Sequence, residues 1–170
     1  PIRALLGGTY GPRMDAADAA TPLVLEVHVA DAPTGWVDAG FALVDDAVWV
    51  DHIAFRLTGP RADGDGIVGW TLGGVSVVDG NLDGLPTEVA DGRPTDAAPA
   101  VDHPNGVTGL DHIVVSTPEL ERTTDALAAA GIELRRIRET QSYGAPMRQG
   151  FFRLGPTILE VVSADPVSYT

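Results

Sequence analysis

Two strand-like runs bracket residues 109–163, and each carries one metal-capable side chain among apolar neighbours. Gly-Leu-Asp-His-Ile-Val-Val-Ser at 109–116 places His112, and Phe-Phe-Arg-Leu-Gly-Pro-Thr-Ile-Leu-Glu-Val-Val at 151–162 places Glu160. A polar group in such surroundings is costly unless something pairs with it. A divalent cation is a partner both could share. Side chains along a strand alternate between faces, so Leu110, His112 and Val114 project together and Asp111, Ile113 and Val115 project oppositely. The same count groups Ile158, Glu160 and Val162.

Between these runs, Ser116-Thr117-Pro118-Glu119 reads as a helix start, with a capping hydroxyl, a proline near the first helical position and an early acid. Gly131 reads as the stop. The spacing predicts a helix from Pro118 to Ala130 whose buried face comprises Leu120, Thr124, Leu127, Ala128 and Ala130. Two more strands are expected at Ile132–Glu139 and Met147–Leu154, the second turning into the last strand through Gly155-Pro156. The order is βαβββ.

This unit resembles the module of the vicinal oxygen chelate superfamily, which includes glyoxalase I, extradiol dioxygenases, methylmalonyl-CoA epimerase, and the fosfomycin- and bleomycin-resistance proteins. The resemblance rests on Leu-Asp-His-Ile-Val-Val, the capped helix, and Phe-Arg-Leu-Gly-Pro-Thr-Ile-Leu-Glu-Val-Val, and covers residues 109–163. It implies a curved sheet whose concave face carries His112 and Glu160 as metal ligands, Glu160 also serving the reaction. The expected cofactor is a divalent metal: zinc, nickel, manganese or iron.

Composition prunes the chemistry further. The chain has no cysteine, and all 11 basic residues are arginine. Thiol nucleophiles, cysteine-based metal sites, Schiff-base lysines and P-loop lysines are therefore excluded. A net charge of −13 opposes binding to nucleic acid or to an anionic membrane surface. No apolar run approaches the length of a membrane span, and the apolar part of residues 1–8 is too short for a signal segment. A cytoplasmic location is expected. With 20 glycines and 13 prolines, turns should be plentiful.

The fold class expected is α+β, a glyoxalase-like βαβββ module at 109–163 preceded by a β-rich N-terminal region at 1–95, a linker at 96–108 and a tail at 164–170. In the N-terminal region, Leu23–Val29, Gly40–Val44, Ala47–Leu57 and Ile67–Val78 read as strands, and Met14–Ala20 as the only short helix. Gly64-Asp-Gly66-Ile-Val-Gly69 has the letters of a dinucleotide fingerprint but leads into a strand pattern. Asp79 to Gly84 opens like a calcium loop, yet its twelfth position is Ala90, so a turn is expected. Val50-Asp-His-Ile-Ala-Phe55 echoes Leu110 to Val115, and Leu25-Glu26-Val27 echoes Leu159 to Val161. A degenerate, rearranged copy of the module could thus offer Glu26 or His28 together with His52.

Hairpin register predicts that Gln149, Phe151 and Arg153 face the same way as Glu160. Arg153 is then a candidate for a substrate carboxylate, with Gln149 and Phe151 in the pocket wall and Tyr143 in a lid loop. Two ligands make a weak site, because catalytic metals usually take three from the protein. The remainder is expected from an identical subunit in a homodimer, from the N-terminal half, or from another module on a partner segment. Two functions follow: a metal-dependent lyase, isomerase, epimerase or dioxygenase acting on a small oxygen-chelating substrate, or a metal-free protein that binds or sequesters a small molecule such as an antibiotic on the same fold.

Overall fold

The computed structural model describes residues 3–5, 21–62, 66–90, 98–142 and 145–164. The expected helix at Met14–Ala20, the lid residue Tyr143 and most of the tail lie outside the described residues. In chain order the elements are β1 (Arg3–Leu5), β2 (Leu23–Val29), α1 (Pro33–Asp38), β3 (Leu43–Val44), β4 (Ala47–Val50), β5 (Ile53–Leu57), β6 (Ile67–Gly73), β7 (Asn81–Leu82) and β8 (Leu85–Ala90). They continue with β9 (His112–Ser116), α2 (Leu120–Ala129), β10 (Leu134–Ser142), β11 (Ala145–Leu154) and β12 (Thr157–Ala164). The fold class is α+β.

The second half runs β9-α2-β10-β11-β12, with strand order β9-β12-β11-β10. β9 and β12 are parallel neighbours, and β1 pairs antiparallel on the outer side of β9. Helix α2 starts two residues later than Pro118. Thr117 Oγ1 accepts the Glu119 N–H at 3.2 Å and lies 2.8 Å from Thr123 Oγ1, holding Glu119 extended ahead of the first turn. The start is therefore an ST-type turn rather than a side-chain cap on the helix itself. Leu120, Leu127 and Ala130 of the expected face are buried, and so is Thr123, whereas Thr124 is half-buried and Ala128 exposed. Gly131, at φ +88°, ends the helix as read, its N–H donating to Ala128 O at 3.0 Å. Arg148 on β11 pairs with Glu121 in the first turn of α2 and holds its carboxyl below the ordinary range.

The first half repeats this plan. β2, α1, β3, β4 and β5 follow one another as strand, helix and three strands, with strand order β2-β5-β4-β3 and β2 parallel to β5. Helix α1 was not legible: it has six residues, starts at a proline and buries none of its residues fully. It is held by Trp36, whose ring lies 5.6 Å from Phe55 and whose Nε1 donates to Asp31 at 3.1 Å. Ala47–Leu57, expected as one strand, is a hairpin. Asp51 takes φ +54°, which reverses the chain between Val50 and Ile53. The copy is thus in direct order: the Asp51-His52 pair leads its last strand, whereas Asp111-His112 leads the first strand of the second unit. The sequence echo had matched strands that are not equivalent. Gly40–Val44 and Ile67–Val78 shorten to Leu43–Val44 and Ile67–Gly73, and β6 to β8 extend the sheet beyond β2.

One apolar core, including Val27, Phe55, Trp70 and Leu72 with Ile113, Leu127, Phe152 and Leu159, runs through both units. The tight β11–β12 turn presses on the start of β2. A Cβ on Gly155 would lie 2.3 Å from Leu23 Cδ2, and Gly155 has φ +65°. Both the space and the left-handed backbone demand glycine. Gly155→Ala should lower unfolding free energy by about 1–3 kcal/mol, read by urea denaturation. A loss below about 0.5 kcal/mol would mean that this contact does not join the units.

Candidate functional site

Each unit packs its helix on one face of its sheet and leaves the other face open. In the second unit, a Cβ on Gly150 would meet Leu120 of α2 at 3.4 Å, so Gly150, Phe152 and Leu154 mark the helix side. Gln149, Phe151 and Arg153 alternate onto the open side, opposite Val162, Glu160 and Ile158 of β12 respectively. Ile158 in turn pairs with His112, and Glu160 with Val114. His112 and Glu160 therefore share the open face as diagonal neighbours on parallel strands, a separation of about 7–8 Å between backbones.

Both candidate ligands are held by a neighbour. His112 Nδ1 lies 2.8 Å from Asp111 Oδ2. A carboxylate accepts, so the Nδ1 proton points at Asp111 and the neutral ring presents its Nε2 lone pair. Gln149 Nε2 donates to Glu160 Oε1. The amide oxygen of Gln149 is buried without a hydrogen-bond partner, an acceptor left unsatisfied directly beside the carboxylate. An imidazole nitrogen, a carboxylate and an orphaned amide oxygen make a borderline-to-hard donor set that suits a divalent first-row ion. Yet among the described residues no group of three His, Cys, Asp or Glu side chains converges. The donor set fits a metal in kind but falls short of the three protein ligands that a catalytic ion usually takes.

The first unit carries a different pair at the corresponding positions. Glu26 on β2 pairs with Ala54, and Arg56 stands two residues further along β5. This is the relation of His112 to Ile158 and then Glu160. At these equivalent positions Arg56 Nε and Nη2 donate to Glu26 Oε1 at 3.0 and 2.7 Å. Glu26 is thus committed to an internal ion pair. His28 Nε2 lies 3.5 Å from Glu26 Oε2, and His52 Nδ1 lies 2.8 Å from Asp51. Glu26, His28 and His52 therefore do not assemble with His112 and Glu160.

Of the other expected site residues, Phe151 is half-buried beside Glu160, and Arg153 is exposed, its Nη1 donating to Pro156 O at 3.0 Å. Sequence reasoning missed Asp111 as the orienting partner and Arg136 as a neighbour of Phe151. Arg136 pairs with Phe151 across β10–β11, and its guanidinium carbon stands 4.8 Å from the ring centroid. The period-two spacing of Arg136 and Arg138 was the available signal, but assigning their face requires the hairpin register. A bulge between Leu134 and Arg136 shifts that register.

A cavity of about 840 Å³ lies elsewhere, on the helix side of the second sheet between α2 and β6–β8, lined in part by Trp70, Thr87, Val115, Thr123, Leu127 and Leu159. His103 belongs to neither place. It is buried in the segment expected to be a linker, where Nδ1 accepts the Ala42 N–H at 3.0 Å and Nε2 bonds Trp49 O at 2.8 Å. Both nitrogens are used by the backbone. Asp79, Gly80, Asp83 and Gly84 all have positive φ, and Asn81 Oδ1 accepts the Gly84 N–H at 2.7 Å, as a turn requires.

No family model and no curated protein matches the sequence. The structure is similar to a mutant of 4-hydroxymandelate synthase from Streptomyces coelicolor, with a TM-score of 0.56 and 13% identity. The likeness covers 84% of this chain and 63% of that chain, and it is a likeness of fold. Among the described residues, no helix is long and apolar enough to cross a membrane.

Proposed function

We propose that this chain is a glyoxalase-like, divalent-metal-dependent enzyme acting on a small substrate with two vicinal oxygens, by lyase, isomerase, epimerase or dioxygenase chemistry. The observation that carries this reading is the arrangement of His112 and Glu160 on one open face, each oriented by its own partner, Asp111 and Gln149. His112 Nε2 and Glu160 would hold the ion, with remaining ligands from an identical subunit or another module. An ion held there supplies Lewis-acid chemistry toward neighbouring substrate oxygens. Phe151, Val114 and Ile158 give the face an apolar floor that limits water, and Gln149 keeps the Glu160 carboxylate turned toward it. The fold neighbour, a 4-hydroxymandelate synthase, adds support at the level of the fold.

Cobalt(II)-loaded protein titrated with catechol tests the reading. Binding of the vicinal oxygens at the ion should change the cobalt visible spectrum saturably and with one ligand per ion. An unchanged spectrum, or protein that takes up no cobalt, would favour the metal-free small-molecule binder on the same fold. That second reading is supported by the lack, among the described residues, of three His, Cys, Asp or Glu side chains placed to hold an ion.

A further inference from the structure

The chain carries 24 acidic residues against 11 arginines, so an arginine has every statistical chance of finding a carboxylate. Among the described residues several do: Arg56 meets Glu26 at 2.7 Å, Arg122 meets Asp83 at 2.8 Å, Arg135 meets Glu133 at 3.6 Å, and Arg148 meets Glu121. Among the described residues, Arg136, Arg138 and Arg153 have no carboxylate within ion-pair distance. All three project from one face. Arg136 pairs with Phe151 and Arg138 with Gln149 across β10–β11, and Phe151 and Arg153 pair with Glu160 and Ile158 across β11–β12. This is the open face of His112 and Glu160.

We infer that Arg136 and Arg138 bind an anionic group of the substrate, so that the compound taken by this site is an acid whose carboxylate lies remote from its vicinal oxygens. The inference rests on the proposed function and specifies its substrate class. Arg153 is the weaker candidate of the three, because part of its fork is spent on Pro156 O. Arg136 lies over the Phe151 ring at 4.8 Å, which orders a side chain that is otherwise exposed. Phe151 separates it from Glu160 by two strand spacings, about 9–10 Å. That interval fits an aromatic or similarly long body spanning the face beside the Arg136–Phe151 stack, with chelating oxygens at the β12 end and the anion at the Arg136–Arg138 end. A protein at −13 repels anions at long range, so an acidic substrate needs a local cationic strip to settle on. Glu160 shares this face but is engaged by Gln149, and among the described residues no carboxylate pairs with Arg136 or Arg138.

The test compares two probes that share vicinal oxygens and differ by one carboxylate, catechol and 3,4-dihydroxybenzoate, titrated onto cobalt(II)-loaded protein. Wild type should bind the acid about tenfold more tightly or better, in line with one charge-assisted contact. In the double variant Arg136→Gln and Arg138→Gln the ratio should fall to about one, mainly through weaker binding of the acid. Arg136→Lys should recover part of the preference, because it restores charge without the planar stack. A parallel titration of metal-free protein with benzoate separates this inference from the metal reading. Benzoate bound by wild type and lost in the double variant supports the strip even if no metal is taken up. An acid-to-catechol ratio that is the same in wild type and double variant overturns it. So does a double variant that merely self-associates with its ratio intact, since the arginines would then only guard the sheet edge at β10.

Discussion

Alanine at His112 or at Glu160 should each lower the affinity for a divalent ion by about a hundredfold or more, measured as metal content after identical purification and dialysis. The size follows from what is lost. Each substitution removes a donor from a set that supplies only two charged or imidazole ligands from this face, whereas residues that merely orient a ligand usually cost about 10–100-fold. Asp111→Ala and Gln149→Ala should therefore fall between wild type and the ligand variants, because they free His112 and Glu160 to rotate without removing them. His52→Ala is the control. It has the same 2.8 Å contact to a preceding aspartate, but it sits in the unit where Glu26 and Arg56 neutralise one another, so metal content should stay at the wild-type level. Equal metal in wild type, His112→Ala and Glu160→Ala would reject the site.

His103→Ala should destabilise the fold by about 2–4 kcal/mol, a fall in melting temperature of roughly 5–15 °C for a chain of this size. The Ala42 N–H can only donate and the Trp49 carbonyl can only accept, so Nε2 carries the ring proton and both nitrogens are satisfied. The ring also packs edge-on to Phe41 at 5.4 Å. Truncation leaves two backbone groups without this partner and opens a void where residues 98–108 cross the first unit. Thermal and urea unfolding would read the effect. A change under about 1 kcal/mol would show that this segment is not anchored through the histidine. The result matters for the site indirectly, because the histidine ties the connecting segment to β4 and so fixes where the second unit begins.

His103 also illustrates where sequence reading stops. Asp102-His103-Pro104-Asn105-Gly106 has no periodicity and the composition of a linker, yet the histidine is buried at 8% exposure. Its two partners are 61 and 54 residues away in sequence, and no local pattern encodes them. The second unit was readable because its signals are local. A proline and threonine sit before the helix, a glycine after it, and β-branched runs of the right length flank both. Even there the buried threonine of α2 is Thr123 rather than Thr124, since that choice depends on where Asp83 and Thr117 lie. The first unit hid its helix because α1 is short and no strong cap announces it. It hid its hairpin because Asp51 rather than glycine takes the left-handed turn.

The alternation of apolar and polar residues by itself determined that His112 and Glu160 each sit in a strand with a definite facing, because strand periodicity is a property of the local backbone. It also determined the βαβββ order of the second unit. Only the tertiary structure decided that β9 and β12 are parallel neighbours, which puts those two faces on the same side. It alone brought Arg136 over Phe151 through a bulged register, and set Glu26 against Arg56 where the second unit has His112 and Glu160. The reason is common to all three. Pairing between strands distant in sequence is selected by the whole core, and a shift of one residue would turn every side chain to the opposite face.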